Sequence, residues 1–527
     1  MTTGKVWLVG AGPGDIGLFT KKGMEVLQNA EVVVYDSLVG QGVLSMIPKD
    51  AITINVGKRA GNHTLPQEGI NQVLLEQAQK GYRVVRLKGG DPFLFGRGGE
   101  ELVLLKEHQI PYEIVPGVTS PLAVPAYNGI PVTHRDFCSS LHIITGHKKA
   151  GMAYDIDFEA LVRTKGTLVF LMGVTALEDI CNCLMKAGMD ADMPAAILQQ
   201  GTTAGQKRIV ATVGTLKAEV DRQGIETPAI IVVGKVCSLA KEFAWYEELP
   251  LAGYKVLLTR PRDLISSTAQ KLRAQGAEVL ELPAIRTEAT EDNEALRRAW
   301  KQMQQYQWLV FTSPTGVKVF FEQMKQYQWL VFTSPTGVKI FFEQMKKECC
   351  DIRALGSVKI AAIGEGTKKA LRERGLFVDL MPEIYDGENL ARALAAQLSG
   401  KEKILIPRAE AGNPELVKIL EEAGACVDDV PTYRTCYESQ DIIDEAAEFE
   451  KGKIDCAVFT SASTVRGFAE AVKGLDFGKV KAACIGKQTR AEAEKYGMQT
   501  WMAEKATMDS LVQLVIDMKN EGDGQND

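Results

Sequence analysis

Short apolar runs alternate with helix-length amphipathic stretches along almost the whole chain. Examples are VWLVGAG (6–12), EVVVYD (31–36), RVVRLKGG (83–90), LHIITG (141–146) and TLVFLMG (167–173). A strand that is followed by a crossover helix returns the chain to a neighbouring parallel strand. The alternation therefore predicts an α/β fold with mostly parallel sheets.

The domain organisation follows from the length and from one seam in this pattern. With 527 residues, the chain is too long for a single hydrophobic core. The segment FAWYEELPLAG (243–253) separates a closing strand, TPAIIVVGKV (227–236), from an opening strand and turn, KVLLTRPRD (255–263). We therefore predict a first half at residues 1–246, a linker at 247–253, a second half at 254–519 and, because its residues are polar, a disordered tail at 520–527.

Composition excludes several classes of protein. A formal net charge of −6 lacks the basic footprint of a nucleic-acid-binding protein. The N-terminus enters a strand directly and no run of about 18 apolar residues occurs, so we expect neither a signal peptide nor a membrane span. Ten cysteines without a CxxC pair, and five histidines that all precede residue 150, predict no metal site. We expect a cytoplasmic protein with reduced, mostly buried thiols.

The second half contains an internal repeat. LVFTSPTGV (330–338) resembles AVFTSASTV (457–465), and KVLLTRPRD (255–263) resembles KILIPRAEA (403–411). IAAIGEGT (360–367) and ACIGKQT (483–489) form another such pair, as do LPAIRT (282–287) and VPTYRT (430–435). Four pairs in related order predict two similar α/β lobes joined by two matching segments.

A tandem duplication lies inside this half. Residues 305–325 and 326–346 are identical except that Val319 in the first copy corresponds to Ile340 in the second. Each copy has the pattern of a strand, a turn and a short helix. Because a parallel sheet has no vacant central position, we expect one copy to pack natively and the other to be extruded or added at an edge.

The turn GAGPGD (10–15) alone does not establish a ligand. A dinucleotide-binding fingerprint requires a third glycine where Asp15 stands, so an NAD-dependent dehydrogenase is disfavoured. Together with VRLKGGDPFLFGRGGEE (85–101), VPGVTSPLAVPAYNGIPVTHRD (115–136), LVFLMGV (168–174) and QQGTTAGQKR (199–208), however, the first half resembles uroporphyrinogen-III C-methyltransferases.

This resemblance implies a fold, a cofactor and a reaction. It implies two α/β lobes, at about 1–116 and 117–246, that bind S-adenosylmethionine between them and usually form a homodimer. The expected reaction methylates uroporphyrinogen III at two ring carbons to give precorrin-2, a precursor of sirohaem and cobalamin. A later corrin intermediate is the alternative substrate.

The resemblance also implies the site residues of the first half. Those expected to contact the cofactor are Pro13, Gly89, Gly90, Asp91, Thr119, Ser120, Met172, Pro228 and Ala229. Because the substrate carries eight carboxylates, the expected basic contacts are Lys58, Arg59, Lys88, Arg97 and Arg135. For catalysis we favour Arg97 as an orienting group, since the pKa of arginine exceeds about 12 and makes it a poor base. Glu100 is the second candidate.

The second half resembles uroporphyrinogen-III synthase through LLTRP (257–261), VFTSPTGV (331–338), PRAEAGNPEL (407–416) and VFTSAST (458–464). That family cyclises hydroxymethylbilane to uroporphyrinogen III between two lobes linked by two strands. The lobes would be 254–286 plus 434–515, and 288–432.

Few acid–base groups stand out in this half. We single out Tyr433, because a phenol there can donate to the departing hydroxyl. Thr460, Ser461, Gly486 and Thr489 offer hydroxyls and backbone amides, and are the expected contacts to substrate carboxylates. The alternatives are a synthase half that is impaired by the duplication and a non-catalytic tetrapyrrole carrier.

Overall fold

The structure is a computed structural model. The residues it describes are 4–57, 65–146, 155–261, 267–289, 298, 308–311, 329–332, 338, 342, 359–384, 387–398, 402–409, 414–437 and 443–523.

The first lobe contains, within its described residues, five parallel strands. They are β1 (Lys5–Gly10), β2 (Val32–Tyr35), β3 (Ile52–Asn55), β4 (Arg83–Lys88) and β5 (Tyr112–Val115), in the sheet order β3-β2-β4-β1-β5. The accompanying helices are α1 (Lys21–Gln28), α2 (Gln41–Leu44), α3 (Gln67–Gln79) and α4 (Gly98–Glu107). Apolar clusters cover both faces of the sheet, which explains the continuous apolar runs of its strands. Because the strands are parallel, their carboxyl ends meet at one edge.

The second lobe has a mixed sheet. Its described strands are β6 (Leu141–Thr145), β7 (Thr167–Leu171), β8 (Pro194–Gln199), β9 (Lys207–Thr212) and β10 (Ala229–Val233), in the order β6-β7-β10-β8-β9. Only β6 and β7 pair in parallel, so the prediction of mostly parallel sheets is wrong for this lobe. The reason is a short connection, since residues 200–206 join β8 to β9 as a hairpin without a crossover helix. The helices are α5 (Ser120–Tyr127), α6 (Phe158–Thr164), α7 (Leu177–Lys186) and α8 (Leu216–Gln223).

The described strands of the second half form one ten-stranded sheet, in the order β15-β14-β13-β16-β17-β12-β11-β18-β19-β20. The strands are β11 (Lys255–Pro261), β12 (Glu278–Ala289), β13 (Trp308–Phe311), β14 (Trp329–Phe332), β15 (Lys359–Ala362), β16 (Lys403–Ala409), β17 (Cys426–Tyr437), β18 (Cys456–Phe459), β19 (Lys481–Cys484) and β20 (Gln499–Met502). The helices are α9 (Ser267–Ala274), α10 (Glu365–Arg372), α11 (Gly387–Ala395), α12 (Glu415–Glu422), α13 (Glu445–Glu450), α14 (Ala462–Ala471), α15 (Lys487–Lys495) and α16 (Met508–Asp523).

The centre of this sheet is an antiparallel pair. β12 and β17 pair from Ile285 opposite Tyr437 to Ala289 opposite Tyr433. The other strand pairs of the sheet, as far as the structure describes it, are parallel. The two segments that the sequence predicts as connections, 282–287 and 430–435, therefore meet where Thr287 pairs with Thr435, between two parallel sets of strands.

Both copies of the duplication contribute an internal strand. β13 pairs with β14 and β16, and β14 pairs with β15, all in parallel. The prediction that one copy is extruded or added at an edge is therefore wrong. Identical residues pair in register, with Leu309 opposite Leu330 and Phe311 opposite Phe332. Because each copy has the same backbone pattern, the second copy extends the sheet by one strand and β15 takes the edge.

The seam between the halves is packed. Leu251 is fully buried, and its amide donates a hydrogen bond to the carbonyl of Gln275 (2.7 Å). The indole of Trp245 donates to the carbonyl of Ala126 (2.9 Å). At the other end of the second half, α16 runs to Asp523, so the predicted disorder is wrong for residues 520–523. The side chain of Lys519 holds this helix end by donating to the carbonyl of Pro250 (3.1 Å).

Candidate active site

Four glycines bring the ends of β1, β4 and β5 together. Gly12 and Gly90 exchange two backbone hydrogen bonds of 3.2 and 2.8 Å. A Cβ atom added to Gly117 would lie 2.2 Å from the carbonyl oxygen of Gly90 and 2.7 Å from the Cα of Gly10. A Cβ added to Gly90, whose φ is +67°, would meet no described atom within 4 Å. The backbones therefore touch on one side, while Gly90 faces open space where a ligand can approach the main chain.

Asp91 braces this arrangement. Its Oδ1 accepts hydrogen bonds from the amides of Phe93 (2.8 Å) and Leu94 (3.2 Å), and its Oδ2 accepts one from the amide of Gly117 (3.0 Å). The carboxylate thus ties the loop after β4 to the loop after β5. Its predicted contact with the cofactor stays a prediction.

The second lobe presents its strand ends to the same region. Leu171 pairs with Ile230 and Ala229 pairs with Gln199, so the residues after β7 and β8 lie beside the start of β10. Met172 is 54% exposed and has a φ of +55°. Left-handed backbone is costly outside glycine and persists where the surroundings enforce it, which is typical of functional sites. Pro228 is exposed, and its carbonyl accepts from the amide of Gln200 (2.9 Å).

Two hydrogen bonds hold the lobes together at the turn 10–15. The amide of Asp15 donates to Oγ1 of Thr202 (3.1 Å), and the hydroxyl of Tyr127 donates to Oδ2 of Asp15 (2.7 Å). Burial, reinforced by Asp15, raises the pKa of Tyr127, which therefore keeps its proton. Tyr127 ends helix α5, which Thr119 and Ser120 begin. The half-buried Thr119 does not use its hydroxyl to cap this helix, and Pro13 is half-buried in the turn.

Arg97 and Glu100 form an exposed ion pair at the start of α4. Nε of Arg97 donates to Oε1 of Glu100 (2.8 Å) and Nη2 donates to Oε2 (2.6 Å). These hydrogen bonds raise the pKa of Arg97 and lower the pKa of Glu100, so both groups stay charged near neutral pH. The fork of Arg97 already holds a carboxylate in the geometry that a carboxylate of a ligand would take. This supports orientation rather than proton abstraction.

Lys88 lies inside the protein and not at the cleft surface, and its buried partners were not predicted. Lys88 is 5% exposed, and its Nζ donates to Oε1 of the fully buried Glu101 (2.7 Å). Nε of the buried Arg86 donates to the same oxygen (3.2 Å), and Nη2 of Arg86 lies 3.3 Å from Oδ2 of Asp36. Burial, followed by repulsion from Arg86, lowers the pKa of Lys88. Lys88 is therefore part of an internal charge cluster and not a surface cation. A buried anionic partner could have been predicted from the sequence, because two cations two residues apart in a buried strand require an anion.

Of the remaining basic candidates, the structure describes Arg135 alone. Arg135 is exposed in the turn between His134 and Cys138. Lys58 and Arg59 lie outside the described residues.

Apart from Tyr433, the candidates of the second half lie at helix starts. Ser461 caps α14 by accepting from the amide of Thr464 (3.3 Å), while Thr464 Oγ1 accepts from the amide of Ser461 (3.2 Å). Thr460 precedes this cap and is half-buried, Gly486 precedes α15, and Thr489 is only 4% exposed. Thr489 therefore offers almost no surface to a ligand. Tyr433 lies on β17 opposite Ala289, and its side chain lies outside what the structure describes.

The two halves match two protein families. Residues 5–217 match the family of Tetrapyrrole (Corrin/Porphyrin) Methylases. Residues 266–327 and 322–513 match Uroporphyrinogen-III synthase HemD, and these two matches overlap within the tandem copies. A porphyrin biosynthesis protein HemD from Ruminiclostridium josui is 44% identical over 98% of this chain and 99% of its own length. The chain belongs to this family of fused methylases and synthases. We call residues 1–246 the methylase half and residues 254–519 the synthase half.

Other relatives match one half each. The siroheme synthase of Salmonella typhimurium is 50% identical over 46% of this chain, and the chain spans only 52% of that protein. A uroporphyrin-III C-methyltransferase of Thermus thermophilus, solved with S-adenosyl homocysteine, is 37% identical (45% of this chain, 99% of that chain, TM-score 0.38). A mutant uroporphyrinogen III synthase of the same organism is 19% identical (51% and 99%, TM-score 0.34). Within the described ranges, no helix has the length and apolar character needed to cross a bilayer.

Proposed function

We propose that the chain is a bifunctional enzyme of tetrapyrrole biosynthesis. Its synthase half cyclises hydroxymethylbilane to uroporphyrinogen III. Its methylase half then methylates that product twice with S-adenosylmethionine to precorrin-2. The synthase reaction comes first, because the product of the synthase family is the substrate of the methyltransferase family.

The observation that carries the proposal is the glycine crossing at the strand ends. Gly90 leaves the main chain open to a ligand, while Gly10, Gly12 and Gly117 close the other side. Without a side chain at Gly90, an elongated ligand with amino-acid and nucleoside parts can reach the main chain there. The exposed side chain of Met172 offers such a ligand an apolar contact. When bound, S-adenosylmethionine supplies an electrophilic methyl group. Gly89, Gly90, Asp91, Thr119, Ser120, Met172, Pro228 and Ala229 are the residues that would hold it.

The protein's own contribution to methylation is mainly positioning. A tetrapyrrole carboxylate that reaches Arg97 would replace Glu100 in the same two-pronged hydrogen bond. Glu100 would then be released beside the substrate as a free carboxylate. Fixing the macrocycle in this way lowers the entropic part of the barrier, because the reacting carbon is already in place.

The synthase half contributes two groups of strands around an antiparallel pair. Tyr433 lies in that pair, at the junction of the two lobes. Lobes that are joined by two strands suit closure around a flexible linear substrate. Tyr433 would donate a proton to the departing hydroxyl, while Thr460, Ser461 and Gly486 would contact carboxylates.

A coupled assay tests the proposal. Purified full-length protein with hydroxymethylbilane and S-adenosylmethionine should yield precorrin-2 without added synthase. Supplying uroporphyrinogen III directly isolates the methylase half, and omitting S-adenosylmethionine isolates the synthase half. If calorimetry detects binding of a nicotinamide dinucleotide and none of S-adenosylhomocysteine, the assignment of the methylase half is wrong.

One alternative keeps the methylase and questions the synthase. The duplication at 305–346 is an observation in its favour, because β15 is displaced by one strand from β16. In that case the chain would methylate supplied uroporphyrinogen III but would not cyclise hydroxymethylbilane. The same assay, run with each substrate separately, distinguishes the two functions.

A further inference from the structure

The synthase half contacts the methylase half on both sides of the turn 10–15. At the start of β12, Oε2 of Glu278 accepts a hydrogen bond from the amide of Ala204 (2.8 Å). From the start of β11, Nζ of Lys255 donates to Oε1 of Gln41 (2.6 Å). Ala204 and Gln41 belong to different lobes of the methylase half, so the synthase half bridges the two lobes.

These two contact points adjoin the segments that hold the turn. Thr202, two residues before Ala204, accepts from the amide of Asp15. Gly40, the neighbour of Gln41, packs so closely on the turn that a Cβ there would lie 2.8 Å from the carbonyl oxygen of Gly14. A displacement of Gln41 would therefore reach the turn through Gly40, and a displacement of Ala204 would reach it through the two preceding residues.

Ion pairs and apolar packing hold the synthase side of this bridge. Glu278 and Lys255 form an ion pair (3.2 Å), and the side chain of Lys255 is only 10% exposed. Lys255 also lies 3.6 Å from Oε2 of Glu448. One cluster of buried apolar side chains runs from Val43 and Ile47 of the methylase half to Leu280 and Leu282 of β12. Partly buried, well-packed polar contacts of this kind have one preferred geometry, unlike exposed ion pairs.

We propose that Glu278, a residue of the synthase half, is a positioning residue for the cofactor turn of the methylase half. It fixes Ala204 directly and Gln41 through Lys255, and so sets the separation of the two segments that flank Gly14. This inference rests on the proposed function, because it takes the turn 10–15 to be part of the cofactor site. Affinity for the cofactor would then depend on an intact junction between the halves.

Calorimetry of the full chain with S-adenosylhomocysteine tests this role. Ala204 and Lys255 use different oxygens of Glu278, and Glu278→Gln replaces one of these oxygens with an amide NH2 group that cannot accept, so one of the two contacts is lost. We expect the dissociation constant to rise about fivefold, the lower end of typical coupling between sites. The matched control is Glu281→Gln on the same strand, where the carboxylate accepts from Arg273 (2.8 Å) inside the synthase half. This control should bind as wild type does.

The number of binding sites per chain distinguishes a positioning role of Glu278 from a loss of protein stability. A variant that is merely destabilised loses binding sites at unchanged affinity, whereas a displaced turn weakens every site and raises KM for S-adenosylmethionine at unchanged kcat. Gln41→Ala, on a half-buried position of α2, tests the second contact and should also weaken binding. If both Glu278→Gln and Gln41→Ala bind S-adenosylhomocysteine with unchanged affinity, the positioning role of Glu278 is wrong but the proposed function stands. Absence of binding by the wild type overturns the proposed function as well.

Discussion

The two halves of the molecule prepare their candidate sites in different ways. In the described part of the methylase half, seven non-glycine residues have left-handed backbone. Gln109 and Lys165 lie just after helices, and the other five are Phe95, Arg97, Met172, Gln200 and Thr202. In the described part of the synthase half, no non-glycine residue has a positive φ. Its candidates Ser461, Gly486 and Thr489 occupy ordinary helix starts.

This difference points to two strategies of catalysis. Strained backbone is retained where the surroundings hold a fixed arrangement, as a methyl transfer between two bound molecules requires. The synthase half instead places its candidates on two sets of strands that meet at β12 and β17. We infer that the methylase half is organised before its ligands bind, and that the synthase half is completed by closure around its substrate.

The largest expected effect is at Arg97. Arg97→Ala should lower kcat/KM for methylation of supplied uroporphyrinogen III by about 100-fold, because a misplaced substrate loses the benefit of orientation. Arg97→Lys keeps the charge without the fork and should fall between alanine and wild type. Cyclisation of hydroxymethylbilane should be unchanged.

A matched arginine controls for the loss of an ion pair. Arg222 forms an exposed pair with Glu219 (2.7 Å) at the same helical spacing of three residues. Arg222→Ala should therefore leave methylation unaltered. Equal rates in Arg97→Ala and wild type would remove Arg97 from the site and leave Glu100 as the remaining candidate.

The next effect concerns Gly90 and uses a glycine of the synthase half as its control. Gly90 and Gly375 have φ values of +67° and +78°, and a Cβ at either would meet no described atom within 4 Å. Alanine at each should lower the free energy of unfolding by about 1 kcal/mol, the cost of left-handed backbone. Only Gly90→Ala should weaken binding of S-adenosylhomocysteine, by about tenfold, or 1.4 kcal/mol. Equal affinity of the two variants would show that Gly90 does not face the ligand.

Some of this geometry was predictable from sequence and some was not. Gly10 and Gly89 mark close approaches, because a Cβ there would lie only 2.5 and 2.6 Å from neighbouring atoms, whereas Gly12 and Gly90 supply left-handed backbone. The motif cannot show that the carboxylate of Asp91 accepts hydrogen bonds from three backbone amides. One of these amides belongs to Gly117, which is distant in the chain. The left-handed backbone of Met172 and Gln200 was also hidden, because neither residue favours that conformation locally.

The fold shows the same division. Apolar runs predict strands, but periodicity does not fix the direction of a neighbouring strand, so the hairpin of β8 and β9 escaped prediction. The position of the second tandem copy depended on whether β15 could move outward, which is a property of the whole sheet. A cation beside a glycine motif suggests a ligand contact, so Lys88 was predicted to bind substrate. The sequence does not show that its amino group instead donates to the buried Glu101.

A smaller effect is expected at Tyr433. If substrate folding drives cyclisation, Tyr433→Phe removes one hydrogen-bond donor, which costs about 1 kcal/mol or roughly fivefold in rate. Methylation of supplied uroporphyrinogen III should not change. A loss much greater than tenfold would indicate that the synthase half also depends on a fixed acid, and the contrast between the halves would weaken. An unaltered rate of cyclisation would remove Tyr433 from the reaction.

The smallest effect is expected from deleting residues 305–325, and the two lobes of the synthase half explain why. In one lobe, β18 alone lies between β11 and β19, whereas in the other lobe β13 and β14 both lie between β16 and β15. After the deletion, the remaining copy can pair with β16 on one side and β15 on the other, which restores the arrangement of the first lobe. Cyclisation and melting temperature should therefore be preserved or raised, as measured by turnover of hydroxymethylbilane and by thermal unfolding. Loss of both would mean that the synthase half has come to depend on its additional strand.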